Sequence, residues 1–215
     1  MDINYYKSAS SNNIQFELVN FSELHKGNDK KICTTELNII LKICKKYAVN
    51  RIIFIIINIY IKRLDLNFFI KRNYKVDVVA FENDLTIEEN CILVYKQVME
   101  LGLDVNMLIN NAGLGSTMLF SEGPISFYKK QIKLNILATT LLTHLFLDIL
   151  KVNGPSYILN VGSLSSYFFL PKKQVYGATK SFIYCFSKSL NRELNKSEIS
   201  VSVICPGNMN TNISV

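Results

Sequence analysis

The chain has 215 residues, of which 49% are apolar and 19% charged, and a net charge of +7. This length and composition suit one globular domain with a single core and exclude a disordered or fibrous chain. The lysines fall in scattered pairs (Lys30 with Lys31, Lys45 with Lys46, Lys129 with Lys130, Lys172 with Lys173) and form no stripe interleaved with aromatics. The charge therefore reads as solvated surface and argues against a nucleic-acid partner.

In chain order, residues 14–21 can form a first strand inside an otherwise irregular N-terminal segment, 1–33. Thr34 or Thr35 can cap a helix running to about Tyr47. Residues 52–61, rich in isoleucine between Arg51 and Lys62, are too few to span a bilayer as a helix and read as a strand buried on both faces. Residues 62–73 read as a short helix and 75–80 as a strand. Thr86 and Glu89 match a capping box that opens a helix with Ile87, Cys91, Val94, Val98 and Leu101 inward, stopped by Gly102. A strand at 106–110 ends at Asn111, Ala112 and Gly113. Pro124 suits the first turn of a long helix, 125–151. A strand at 157–161 ends at Gly162 and Ser163, and a helix at 175–195 follows with Phe182, Cys185, Phe186 and Leu190 on its inward stripe. A last strand at 200–205 ends at Pro206 and Gly207.

Such alternation means an α/β fold, a doubly wound parallel sheet with helices on both faces, over residues 34–215. Ligands then bind beyond the carboxyl ends of the strands, where Asn111, Gly113, Ser163 and Gly207 should converge. Five cysteines (Cys33, Cys44, Cys91, Cys185, Cys205) form no C-x-x-C pair, so a reduced, cytoplasmic setting with buried thiols is expected. With only His25 and His144 besides, no metal site is expected, and His144 reads as a core histidine. Residues 1–13 are polar and carry no apolar signal-peptide core.

Tyr176 and Lys180 lie four residues apart, so on a helix both share one face. A nearby ammonium favours phenolate over phenol, which fits a tyrosine to exchange a proton with a substrate oxygen near neutral pH. Ser163 lies thirteen residues earlier, at a strand end, where its hydroxyl could hold that oxygen. Tyr184 and Lys188 repeat the Tyr-x-x-x-Lys spacing, but thirteen residues before Tyr184 stands Pro171, which has no hydroxyl. The serine therefore singles out Tyr176. On its own, such a pair on a helix is most simply a surface contact.

Over roughly residues 75–211 the chain resembles the classical short-chain dehydrogenase/reductase family. The resemblance rests on the order and spacing of Asp84 and Leu85, Asn110 to Gly113, Asn135, Ser163, Tyr176, Lys180, Pro206, Gly207 and Thr211. It implies a Rossmann-like domain and an NAD(P)-dependent oxidoreductase that interconverts a secondary alcohol and a ketone. It also implies roles. Tyr176 is the general acid/base, Lys180 holds the nicotinamide ribose, Ser163 orients the carbonyl, and Asn135 relays protons through a water. Asp84, Leu85, Asn111, Ala112, Gly113, Tyr176, Lys180, Pro206, Gly207 and Thr211 line the cofactor, with Asp84 at the adenine, Gly113 at the adenosine and Thr211 at the nicotinamide amide. In relatives the helices matching 125–151 and 175–195 pair across a dimer, so a homo-oligomer is expected.

The sequence departs from the family in three places. Gly27 is the only glycine before Gly102, so the glycine-rich turn that cradles the pyrophosphate is degenerate. Around Asn58 to Tyr60 no ribose-binding acid stands, while Lys62 and Arg63 could take a phosphate, which favours NADP over NAD. The sequence ends four residues after Thr211, so a truncated C-terminus lacking the last strand is expected. Apolar residues in 114–126 and 164–174, among them Met118, Phe120, Phe168 and Phe169, point to an apolar ketone or alcohol as substrate. The alternative is a non-catalytic relative or fragment acting through helix-mediated association.

Overall fold

The structure, a computed structural model, describes residues 16–22, 51–57 and 77–207. Six strands form one sheet: β1 (Phe16–Ser22), β2 (Arg51–Ile57), β3 (Asp77–Glu82), β4 (Met107–Asn110), β5 (Ser156–Val161) and β6 (Ile199–Ile204). Their order is β3-β2-β1-β4-β5-β6, and every pairing is parallel. This is the Rossmann order, and its reversal between β1 and β4 opens a crevice at their carboxyl ends. The strand within the N-terminal segment is thus central, paired with β2 on one side and β4 on the other. The expected helices at 34–47 and 62–73 lie outside the described residues.

Three helices are described: α1 (Glu88–Glu100), α2 (Ile125–Val152) and α3 (Gln174–Glu193). By length and composition α2 could cross a membrane. One face of it, however, is core: Leu134, Ala138, Leu142, Phe146 and Leu150 are buried and pack with Cys91, Val94, Val98, Leu108 and Ile158. Tyr95 of α1 meets Phe146 edge-on at 5.1 Å. All four β4 residues are buried, as a strand covered on both faces requires.

Four expectations are corrected. Thr86 does not cap α1. Ile87 is its N-cap residue, and the Asp84 carboxylate instead accepts both the Thr86 N–H (3.0 Å) and its hydroxyl (2.7 Å). A charged acceptor two residues upstream forms the stronger local turn. Ile87 and Leu101, at the ends of α1, are exposed, whereas Cys91, Val94 and Val98 are buried. His144 is exposed on α2, on the side away from the core. Cys91 is a buried thiol, pushed up to about 12 by burial, with the Glu88 and Asp84 charges adding, but Cys185 is exposed and Cys205 half-buried.

The inward stripe of α3 is also not the expected one. Thr179, Lys180, Ile183 and Ser187 are buried, while Phe182 and Cys185 are exposed. The physical reason is a polar network under the helix. Asn110 Nδ2 donates to Thr143 Oγ1 (3.0 Å) and Asn160 Oδ1 (2.8 Å), and Asn160 Nδ2 donates to Ser187 Oγ (2.9 Å). Asn110 and Asn160 are register partners on β4 and β5. The network ties α2, β4, β5 and α3 together, and it places a small polar residue, Ser187, on the inner face of α3; Thr179 and Lys180 are held there by Asn135 and the Val161 carbonyl. Asn160→Leu would strip one partner from the buried Asn110 amide. The expected loss is about 2 kcal/mol, or roughly 4–8 °C in Tm, read by thermal unfolding.

Candidate active site

The turn after β5 and the first turns of α3 form one unit. Ser163 caps a short 3-10 turn, Leu164–Ser166, and its Oγ accepts the Ser165 N–H at 3.1 Å. Ser166 Oγ returns a contact to the Ser163 N–H (3.4 Å) and donates to the Lys180 carbonyl (2.9 Å). Ser181 Oγ donates to the Ser166 carbonyl at 2.9 Å. Because Ser163 caps as an acceptor, its hydroxyl proton is what it can offer to a substrate oxygen.

Lys180 is only 5% exposed, and its ammonium donates to the Val161 carbonyl at 2.7 Å, at the end of β5. Lys180 Nζ lies 5.9 Å from the centre of the Tyr176 ring, and Lys173 Nζ lies 5.5 Å from it. Two ammonium groups thus lie within about 6 Å of the centre of the Tyr176 ring. The second Tyr/Lys pair has other surroundings. The Tyr184 ring meets Tyr167 edge-on at 4.9 Å, and Lys188 is exposed. Cys205 beside it, more than burial, pushes the Tyr167 hydroxyl above the usual phenol range.

The loop after β4 forms the facing wall. Asn111 and Ala112 are buried. A Cβ at Gly113 would stand 3.1 Å from Lys180 Nζ and 3.5 Å from Asn135 Oδ1, and one at Gly115 would stand 3.8 Å from Tyr176 Cε2. Bare backbone at Gly113 lets the loop and the ammonium share one crevice, and Gly115 leaves ordinary contact room beside the phenol ring. This shape and charge fit the nicotinamide end of a dinucleotide.

Asn135 is buried, inside a π-helical turn (Lys133–Ala138) of α2. Such turns recur at functional sites because they re-aim a side chain. Its Oδ1 accepts the Leu114 N–H (2.7 Å), and its Nδ2 donates to Leu114 O (3.1 Å) and Thr179 Oγ1 (2.9 Å). Thr179 in turn donates to the Tyr176 carbonyl at 2.8 Å. Asn135 therefore links the β4 loop to the helix that carries Tyr176.

The remaining expected site residues are spread along the strand ends. Pro206 O accepts the Leu164 N–H (2.9 Å), and a Cβ at Gly207 would meet Leu164 Cδ1 at 3.0 Å, so both belong to the wall behind Ser163. Asp84 opens the turn before α1, while Leu85 is core. Thr211 lies outside the described residues, as do Gly27, Asn58 to Tyr60, Lys62 and Arg63. Thr179, Gly115 and Gly162 carry no motif signal of their own. A Cβ at Gly162 would stand 2.8 Å from Cys205 Sγ and 3.2 Å from the Ile204 carbonyl, which fixes glycine where β5 passes β6.

A family model described as short chain dehydrogenase matches residues 39–215. The very-long-chain 3-oxoacyl-CoA reductase of Macaca fascicularis is 31% identical over 143 residues, covering 64% of this chain and 45% of that protein. The chain spans about half the length of the curated relatives it matches. Among solved structures, the bulky-bulky ketone specific alcohol dehydrogenase from Comamonas testosteroni superposes with a TM-score of 0.78 at 22% identity, covering 95% of this chain and 77% of that one. A short-chain dehydrogenase from Sphingobium yanoikuyae in complex with NADPH gives a TM-score of 0.73 at 24% identity, covering 90% and 71%.

Proposed function

The chain belongs to the short-chain dehydrogenase family, and from that premise we propose that it is an NAD(P)-dependent oxidoreductase interconverting an apolar ketone and its secondary alcohol. The observation that carries this reading is the Lys180 ammonium, buried at the end of β5 between the Tyr176 ring and Gly113.

A nicotinamide cofactor supplies the hydride when bound. Asn111, Ala112 and Gly113 would line the cofactor, and Lys180 would hold its nicotinamide ribose, taking the hydroxyls as hydrogen-bond acceptors. Ser163 donates its hydroxyl proton to the substrate oxygen and fixes that atom's position. Tyr176 passes its phenolic proton to the same oxygen during reduction and takes it back during oxidation. The Lys180 charge steadies the phenolate left behind. Asn135 holds the Leu114 peptide and, through Thr179, the backbone of Tyr176.

For the substrate, the lip of the crevice favours apolar groups. Phe168, Phe169 and Leu170 are exposed on one loop and Leu119 and Phe120 on another, and the Met118 N–H bonds Lys172 O (3.0 Å) to join the two loops. The names of the Macaca and Comamonas proteins point to large acyl or ketone substrates in similar chains. NADP is preferred over NAD, in line with the NADPH bound by the Sphingobium protein. The exposed Phe182, stacked on Phe186 at 5.8 Å, and exposed Ile125 and Ile132 support homo-oligomer formation through α2 and α3.

Titrating NADPH and NADH while following nicotinamide fluorescence tests the reading. The expected result is saturable binding with a dissociation constant of about 1–100 μM, tighter for NADPH. No binding at millimolar cofactor would move the assignment to the non-catalytic alternative.

A further inference from the structure

We propose that Gln131 is a positioning residue of this site: together with Asn135 it fixes the Leu114 peptide, and so sets the wall that faces Tyr176 and Lys180. The inference rests on the redox reading above and adds a residue which that reading does not use.

Gln131 is fully buried on α2, four residues before Asn135 and on the same face of the helix. Its Nε2 donates to Leu114 O at 2.8 Å and approaches Ser116 Oγ at 3.3 Å. Asn135 Nδ2 donates to the same carbonyl at 3.1 Å, and Asn135 Oδ1 accepts the N–H of the same residue at 2.7 Å. One helix face thus grips both polar ends of Leu114 with two amide side chains. The flanking glycines are the ones that face the chemistry, Gly113 beside Lys180 Nζ and Gly115 beside the Tyr176 ring. A shift of Leu114 would carry both.

The other end of the Gln131 amide points the same way. Among the described residues its Oε1 is buried without a hydrogen-bond partner. A methionine would fill the space without sealing an unpaired oxygen in the core. What the amide contributes is therefore on its Nε2 side, at the loop. The Nε2 assignment follows from the Leu114 carbonyl, which can only accept.

Gln131→Met keeps the volume and removes both donations. In hydrogen exchange on the cofactor-free protein, amides of residues 114–116 should exchange about tenfold faster, with β4 and β5 unchanged. In steady-state reduction with NADPH, kcat should fall about tenfold while the KM for the carbonyl substrate stays within about threefold, as expected of a misplaced wall rather than lost binding. Gln131→Glu is the second variant. Its neutral acid can still donate to Leu114 O and its carboxylate cannot, so its loop exchange should quicken as pH rises through the glutamate titration, unlike wild type. Unchanged loop exchange in Gln131→Met overturns the inference, as does faster exchange with unchanged kcat. If wild-type protein neither binds NADPH nor turns over, the redox reading fails instead, and the loop exchange alone decides the clamp. Should Gln131→Met not fold, the pH dependence in Gln131→Glu decides, and a flat profile overturns the proposal.

Discussion

Tyr176→Phe is expected to lower kcat for carbonyl reduction by roughly a thousandfold, within the span that removal of a positioned acid/base covers. Cofactor affinity should change by less than about threefold, because the ring and its contacts stay and only the hydroxyl goes. The substitution keeps the ring near Lys173 and Lys180 and leaves Gly115 its neighbour. Steady-state kinetics and nicotinamide fluorescence separate the two effects. Tyr184→Phe is the internal control. That ring packs on Tyr167, so turnover should be nearly unchanged. A Tyr176→Phe enzyme that keeps a tenth or more of wild-type turnover, roughly 1.4 kcal/mol of barrier or less, would remove the phenol from the reaction.

Lys180→Met has the next largest expected effect. Methionine approximates the length and removes the charge from a side chain that is 5% exposed. The ammonium now reaches Val161 O at 2.7 Å and fills the space that a Gly113 side chain would claim. Without it, the ribose hydroxyls lose a charged donor and the phenolate its neighbouring cation. NADPH affinity should fall about tenfold or more, since hydrogen bonds to charged groups contribute roughly 1.5–3 kcal/mol. Turnover should fall by about a hundredfold or more, the lower end of acid/base contributions. Lys180→Arg should not restore it, because a planar fork does not replace a compact ammonium in so closed a space. Unchanged affinity together with unchanged turnover would remove Lys180 from both cofactor binding and the proton transfer.

The strand-and-helix alternation was legible because it is written in apolar periodicity and turn residues. The expected strand at 157–161 is β5 (Ser156–Val161), and the expected helix at 125–151 is α2 (Ile125–Val152). Periodicity failed on α3, where the inner face carries Thr179, Lys180 and Ser187 because each meets a polar group there: Asn135, the Val161 carbonyl and Asn160. It failed again at the start of α1, where Asp84 took the donor that a capping box would have used. The π turn holding Asn135 has no signature in residue order, since it is a local rewinding of a continuous helix. Gln131 was invisible for a related reason. Its four-residue offset from Asn135 gains meaning only when a loop seventeen residues earlier folds back onto the helix. Gly113 stood out in the sequence as a place where backbone should approach a ligand. The structure adds that the Lys180 ammonium already stands 3.1 Å from where its Cβ would be.

The most direct test of the central claim is isotope transfer. The protein is incubated with NADPH deuterated at carbon 4 of the nicotinamide ring and a panel of apolar ketones, and the alcohols are analysed by mass spectrometry. If Ser163, Tyr176 and Lys180 form a hydride-transfer site, deuterium should appear on the carbinol carbon of at least one product, and the transfer should collapse in Tyr176→Phe. No label in any product, or equal label from the Tyr176→Phe protein, would contradict the account.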